Sequence, residues 1–398
     1  MAVSERVNIA RVLRVGGVDG RISRWGRLFL FALMANVLFI VFYAVLAQHF
    51  GGYSQATCRW DCGWYMKIVR DGYDTRLPAP GDPYRNYAFF PVFPLTVYYV
   101  SHLTGIVDQF AADIVNNIAF CFTLFVSALY ISKKFGGNNT YFYVLVFLSA
   151  PFSIYFHFPY SESLYGLFLI LFLFFFYRRA YPLAGLAGLF LSATRPTGAL
   201  VIATVCCIEW LTIWLSEERP FRITEGRVRR SGAVLLAAVI SSAGIFSYMT
   251  YLHFHVGDAL AFKHIEAAWG RQFINPVTRV LLALRSHDMT ADSFVVMTMR
   301  SQAYLAWAAI VAFILILWGF CRRFWIESSV MLVTLYTATS SGLEALPRFM
   351  FANPVMLCMI ARFLDFLPRE FALLVLILFG MTQAVFVILW YGAAAFLT

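Results

Sequence analysis

Apolar runs of about 17–25 residues recur along almost the whole chain, which is the length a helix needs to cross a bilayer. Nothing between these runs is long enough to form a separate domain. The sequence therefore predicts one all-α polytopic membrane domain over residues 1–398. Only 13% of the residues are charged and 61% are hydrophobic, whereas a soluble domain carries roughly a quarter charged residues. A single large soluble core is excluded. The net charge of +10 does not signal nucleic-acid binding, because Arg and Lys sit in short clusters between apolar runs. That arrangement orients a chain across a membrane.

Six arginines from Arg6 to Arg27 precede the first run, 28–50, and place the N-terminus in the cytoplasm. No cleavable signal peptide is evident, since this run is too long for one and reads as a signal anchor. Further basic markers are Lys133-Lys134, Arg178-Arg179, the stretch 219–230 and Arg322-Arg323. If all are cytoplasmic, the spans between them come in pairs. They do so after residue 140, as 140–158 with 161–177, 183–194 with 197–215, 232–253 with 303–321, and 324–341 with 349–364. A last span, 371–396, ends outside. Parity allows one crossing between the first run and Lys133, so 111–131 spans. Run 89–106, with Pro91 and Pro94 near its start, is assigned to an interfacial or re-entrant helix. The expected total is about eleven crossings. Two long extracytoplasmic loops result, 51–110 and 254–301, and the polar residues gather on their side.

The first of these loops reads Cys58-Arg59-Trp60-Asp61-Cys62-Gly63-Trp64-Tyr65. A helix is expected from Trp60 to Asp71, stopped by Gly72, with Asp61, Trp64, Tyr65 and Ile68 on one face. A carboxylate beside aromatic rings at a membrane surface suits a general base next to a sugar-stacking platform. The same position also suits a helix cap. Cys58 and Cys62 share this loop and could pair, but at this spacing free thiols are the expectation. The other five cysteines lie in or beside apolar runs, where they act as small hydrophobes.

Glu162 opens an apolar helix after His157-Phe158-Pro159-Tyr160-Ser161. It serves either the helix dipole or, as an ionisable group at membrane level, a substrate. Arg195 interrupts 183–215 with Pro196 behind it, and its expected partner is Glu162 or a lipid phosphate. Arg348 stands at another outer turn, for the same purpose or as a snorkelling side chain. In the second long loop, Lys263, His264 and Arg271 can supply a phosphate-binding cluster. His253, His255 and Asp258 contain metal-ligand types, but their spacing is unspecific. No cofactor is required, and a divalent metal is not indicated.

These motifs, in this order, resemble the PIG-V family of mannosyltransferases within the GT-C class of polytopic glycosyltransferases. The matching pieces are the 60–65 segment with Gly72-Tyr73, Phe89-Phe90-Pro91-Val92-Phe93-Pro94, Tyr160-Ser161-Glu162, Arg195-Pro196-Thr197-Gly198, Gly257-Asp258-Ala259, Trp269-Gly270-Arg271 and Pro347-Arg348-Phe349. Many relatives have an Arg-Tyr pair where this chain has Arg348-Phe349. The resemblance implies a GT-C-like fold with juxtamembrane helices in the first long loop. It also implies a polyprenyl-phosphate sugar donor, usually of mannose, inversion at the anomeric carbon, and Asp61 as the catalytic acid residue of that loop. Trp60, Trp64, Tyr65, His157 and Glu162 would bind the substrate, and Arg195, Lys263, His264, Arg271 and Arg348 the lipid phosphate. The acceptor would be a lipid, glycan or protein. The compact chain points to a bacterial inner (plasma) membrane. A transporter or flippase for a lipid-linked solute is the competing class; matched broken helices in two inverted halves would mark it, and only one interruption, at Arg195, is evident. A scaffold subunit is a third.

Overall fold

A computed structural model describes residues 23–79, 82–215, 223–285 and 302–393. All regular elements among them are helical. In chain order they are α1 (Arg24–Ala47), α2 (Tyr53–Thr57), α3 (Asp61–Asp71), α4 (Val92–Thr104), α5 (Asp108–Phe135), α6 (Thr140–Ser149), α7 (Glu162–Tyr177), α8 (Tyr181–Thr194) and α9 (Pro196–Leu215). They continue as α10 (Glu225–Val256), α11 (Ala261–His264), α12 (Pro276–Arg285), α13 (Gln302–Cys321), α14 (Trp325–Ser341), α15 (Leu346–Phe351), α16 (Pro354–Asp365) and α17 (Arg369–Tyr391). The chain is an all-α integral membrane protein.

Six described helices have the length and hydropathy of a full span: α1, α5, α9, α10, α13 and α17. Helix α4 has 13 residues and rises about 20 Å, short of the roughly 30 Å hydrocarbon core. Helices α6, α7 and α8 are shorter than a full span as well. Two expected spans are not continuous helices. Run 140–158 breaks after α6 because Pro151 has no N–H to continue the ladder, and Pro151–Phe156 forms a 3₁₀ turn. Run 349–364 divides into α15 and α16 at Pro354, where the Asn353 side chain accepts the Val355 N–H at 3.0 Å. The expected calls on residues 1–22, 219–222, 286–301 and 394–396 lie outside the described residues.

Both breaks serve the same end of the bundle. Each turns the chain early, so that residues 157–162 and 346–348 lie inside the fold instead of beyond it. The carbonyls left free at the first break are bonded from α17. The buried Gln383 side chain donates to Leu148 O at 2.7 Å and Ala150 O at 2.9 Å. Helices α8 and α10 pack through small residues, as in membrane helix pairs. A Cβ at Gly244 would collide with the Leu189 carbonyl, and Ser192 Oγ donates to Ser241 O at 2.6 Å. Helix α7 has 16 residues, so its far end is about 24 Å from Glu162. There Tyr177 bonds the Lys133 carbonyl, and buried Glu327 pairs with Lys134 at 2.6 Å.

Gln383→Leu leaves two buried carbonyls short of a donor, each costing about 1–3 kcal/mol. A lower Tm of the detergent-solubilised protein is expected, whereas Thr382→Leu on the exposed face should leave Tm unchanged.

Candidate active site

The site starts at the segment ahead of α3. Cys58 and Cys62 form a disulfide, against the expectation of free thiols. The reason is local backbone geometry. Cys58 is extended and Trp60 has φ +42°, in the left-handed region, so the chain reverses and brings the two Cα atoms to 5.2 Å, within bridging range. A bulky residue at positive φ persists only where its surroundings hold it. Here the bridge does so, together with α17. The Trp60 ring meets Trp390 edge-on at 4.9 Å, Trp390 Nε1 donates to Thr57 O at 3.2 Å, and Arg59 donates to Tyr391 O at 2.8 Å.

Asp61 is consequently the first residue of α3, and Trp60 holds the cap position without a side-chain cap bond. The Asp61 N–H donates to Tyr160 Oη at 3.2 Å, and the same hydroxyl donates to Arg59 O at 3.0 Å. The Asp61 carboxylate does not cap the helix. It receives Arg348 Nη1 at 2.7 Å. Arg348 Nε lies 3.1 Å from Glu162 Oε1, and Arg195 Nη2 reaches the same oxygen at 2.5 Å. Four charges therefore alternate in one chain of contacts: Asp61, Arg348, Glu162, Arg195. The contacts at Glu162 are ion pairs without hydrogen-bond alignment, and its Oε2 has no hydrogen-bond partner among the described residues.

Each member comes from a different turn. Glu162 opens α7, Arg195 stands extended between α8 and α9, and Arg348 is held in α15. Ser161 Oγ accepts from Arg195 Nε at 3.0 Å and from Tyr65 at 2.9 Å. The Phe349 ring lies 5.0 Å from the Arg195 guanidinium and 5.2 Å from that of Arg348, within cation–π range. Burial opposes the charge on Arg348, but Asp61 and Glu162 hold it protonated well above the ordinary arginine range. Side-chain exposure is 1% for Glu162, 7% for Arg348, 15% for Arg195 and 32% for Asp61. Asp61 is thus the most exposed of the four.

The chain can be superposed on ArnT from Cupriavidus metallidurans bound to undecaprenyl phosphate, with a TM-score of 0.52 at 14% identity, covering 94% of this chain and 77% of that one. The fold is GT-C-like. Two Archaeoglobus fulgidus oligosaccharyltransferase structures also align. One is a complex with zinc and sulfate (TM-score 0.47, 11% identity, 92% of this chain and 53% of that one). The other, AglB, is a complex with an inhibitory peptide and a dolichol-phosphate (0.43, 11%, 92% and 56%). The chain spans only about half the length of these two archaeal chains. The sequence matches no family model and no curated protein.

Of the other expected site residues, Trp60 and Tyr65 adjoin the charge cluster, and the rest have other partners. Trp64 stacks on Phe89 at 6.0 Å, meets Trp269 edge-on at 6.0 Å, and has Lys67 Nζ 5.7 Å from its ring. Tyr65 is buried; burial pushes its hydroxyl up to about 12, so it remains the donor to Ser161. His157 does not join the charge cluster. It is buried with Nδ1 at 2.8 Å from Asn117 Oδ1 and edge-on to Tyr43 and Phe120. Among the described residues, no contact joins Lys263, His264 or Arg271 to Arg195 or Arg348. Lys263 is exposed, His264 pairs with Asp258 at 2.7 Å, and Arg271 faces Glu266 at 3.6 Å. His255 bonds the Tyr73 carbonyl, and no group of three or more His, Cys, Asp or Glu residues among those described could hold a metal ion. The sequence reasoning missed Tyr160, Ser161, Phe349 and Trp390 as positioning residues. Trp390 carries no local signal, since it ends an ordinary apolar run.

Removing one partner from a buried ion pair costs about 3–5 kcal/mol. Arg348→Met is therefore expected to lower Tm strongly. Adding Glu162→Gln should recover part of the loss, which thermal unfolding of the single and double variants will measure.

Proposed function

We propose that this protein is an inverting glycosyltransferase that moves a sugar, mannose, from a polyprenyl-phosphate donor to an acceptor hydroxyl. The observation that carries the proposal is the Asp61–Arg348–Glu162–Arg195 chain of contacts, in which one partly exposed carboxylate fronts a buried guanidinium, Arg348, and a half-buried one, Arg195. The solved neighbour ArnT, bound to undecaprenyl phosphate, supports the lipid-phosphate donor, and the resemblance of the motif order to the PIG-V family supports mannose.

In the proposed reaction the acceptor oxygen attacks the anomeric carbon of the sugar. Asp61 takes the hydroxyl proton, and the bond from that carbon to the phosphate oxygen breaks on the opposite face. The electron pair leaves with the polyprenyl phosphate, whose negative charge grows in the transition state. Arg348 and Arg195 are fixed in place before the reaction and stabilise that charge where water is scarce. An arriving phosphate competes with Asp61 for Arg348, so donor binding would free the carboxylate to act as the base. Glu162 then keeps the two guanidiniums from separating.

The Cys58–Cys62 disulfide supports an extracytoplasmic site with a cytoplasmic N-terminus, because such bonds persist in oxidising compartments and are rare in the cytosol. After reduction, a membrane-impermeant thiol reagent applied to intact cells should label the partly exposed Cys58. Labelling only after lysis would reverse the orientation.

A general base contributes about 10²–10⁴-fold. Asp61→Asn is expected to lose transfer of radiolabelled mannose from polyprenyl-phosphate mannose by at least the lower figure, with Tm lowered less than by Arg348→Met because Glu162 still pairs Arg348. Near-normal turnover in this variant would remove Asp61 from the role. Absence of transfer by the wild-type protein from any polyprenyl-phosphate sugar would remove the activity itself.

A further inference from the structure

The opposite end of the bundle contains a second cationic site. A cavity of about 340 Å³ is lined by Arg322, Arg323 and Arg362 with Phe135, Phe324 and Phe366, a size at the lower end of small-ligand pockets. Two guanidinium groups crowd one ring. Arg322 lies 4.1 Å and Arg362 5.1 Å from the Phe366 centroid.

The acidic residues nearby are already engaged. Asp365 takes Arg362, Tyr143 at 2.8 Å and Asn139 at 2.6 Å. Glu327 takes Lys134 and Tyr130. Arg322 and Arg323 have no carboxylate partner among the described residues. Helix C-termini attract arginines, but this one is capped by backbone. The Arg322 N–H donates to Trp318 O, that of Arg323 to Phe320 O and that of Phe324 to Gly319 O, at 2.9, 3.0 and 2.8 Å. Arg323 adopts φ +64° to close that turn. The exposed side chains of Arg322 and Arg323 line the cavity, and their forked N–H donors have no acceptor among the described residues. Such forks match phosphate oxygens.

We propose that this cavity binds the phosphate of an anionic phospholipid, in the leaflet opposite the Asp61 cluster. A lipid fits better than a soluble anion because the rim is apolar and outward-facing. Phe366 is 48% and Trp325 57% exposed, on helices flanking the cavity, so an acyl chain can run along them while the phosphate sits among the arginines. The site is separate from the proposed donor site, about 24 Å away along α7, and does not depend on the transfer reaction.

Native mass spectrometry of the full-length protein, titrated with phosphatidylglycerol, tests this. Wild type is expected to retain the lipid, and Arg322→Gln/Arg323→Gln to bind it at least tenfold more weakly, while Asp61→Asn retains it as wild type does. Equal retention by the double variant would overturn the proposal. So would equal competition by phosphatidylcholine, which indicates apolar adhesion only, or by inorganic phosphate, which indicates a soluble-anion site. Should the double variant misfold, wild-type protein answers the question with photoreactive phosphatidylglycerol. Crosslinks within 318–325 or 362–366 that excess phosphatidylglycerol suppresses tenfold support the site, and crosslinks confined elsewhere refute it.

Discussion

The structure depends on one buried guanidinium. Arg348 carries a full charge at 6% exposure, and taking such a charge out of water costs several kcal/mol unless it is paired. Asp61 on one side and Glu162 on the other supply the pairing, at 2.7 and 3.1 Å. Because the three residues come from α3, α7 and α15, satisfying this charge forces three distant parts of the chain to one point. Arg195 extends the arrangement to a fourth.

That requirement accounts for several otherwise unfavourable local choices. Prolines interrupt two apolar runs; Gln383 donates to the carbonyls left at the first break, and the Asn353 side chain accepts the Val355 N–H at the second. Trp60 adopts a backbone conformation that bulky residues avoid, and a disulfide and the Trp390 ring keep it there. The Trp60 reversal lies directly before Asp61, and it is not needed to build a helical bundle. Local strain concentrated at one carboxylate is the pattern of a site that must be aimed.

The two ends of the bundle solve their charge balance differently. At the Asp61 end, two carboxylates and two guanidiniums alternate, and each arginine has an internal partner that a phosphate can replace. At the far end, Lys134 is matched by Glu327 and Arg362 by Asp365, while Arg322 and Arg323 exceed the available acids.

Apolar run length and low charge were enough to specify a helical membrane protein, because the energetics of hydrocarbon act on every residue of a span and so are written locally. The same holds for Gly72 ending α3 and for the Glu162–Arg195 pairing, which two charges at outer turns made legible. The partnership of Asp61 with Arg348 was not legible, since 287 residues separate them and each alone fits a bland role as a cap or a snorkelling side chain. Nor was the disulfide, whose formation depends on the reversal at Trp60. His157 misled, because a histidine next to a turn looks accessible until Tyr43 and Phe120 close over it. Sequence by itself determined which segments avoid water. Only the tertiary structure decided which charges meet, because pairing distance in folded space has no counterpart in spacing along the chain.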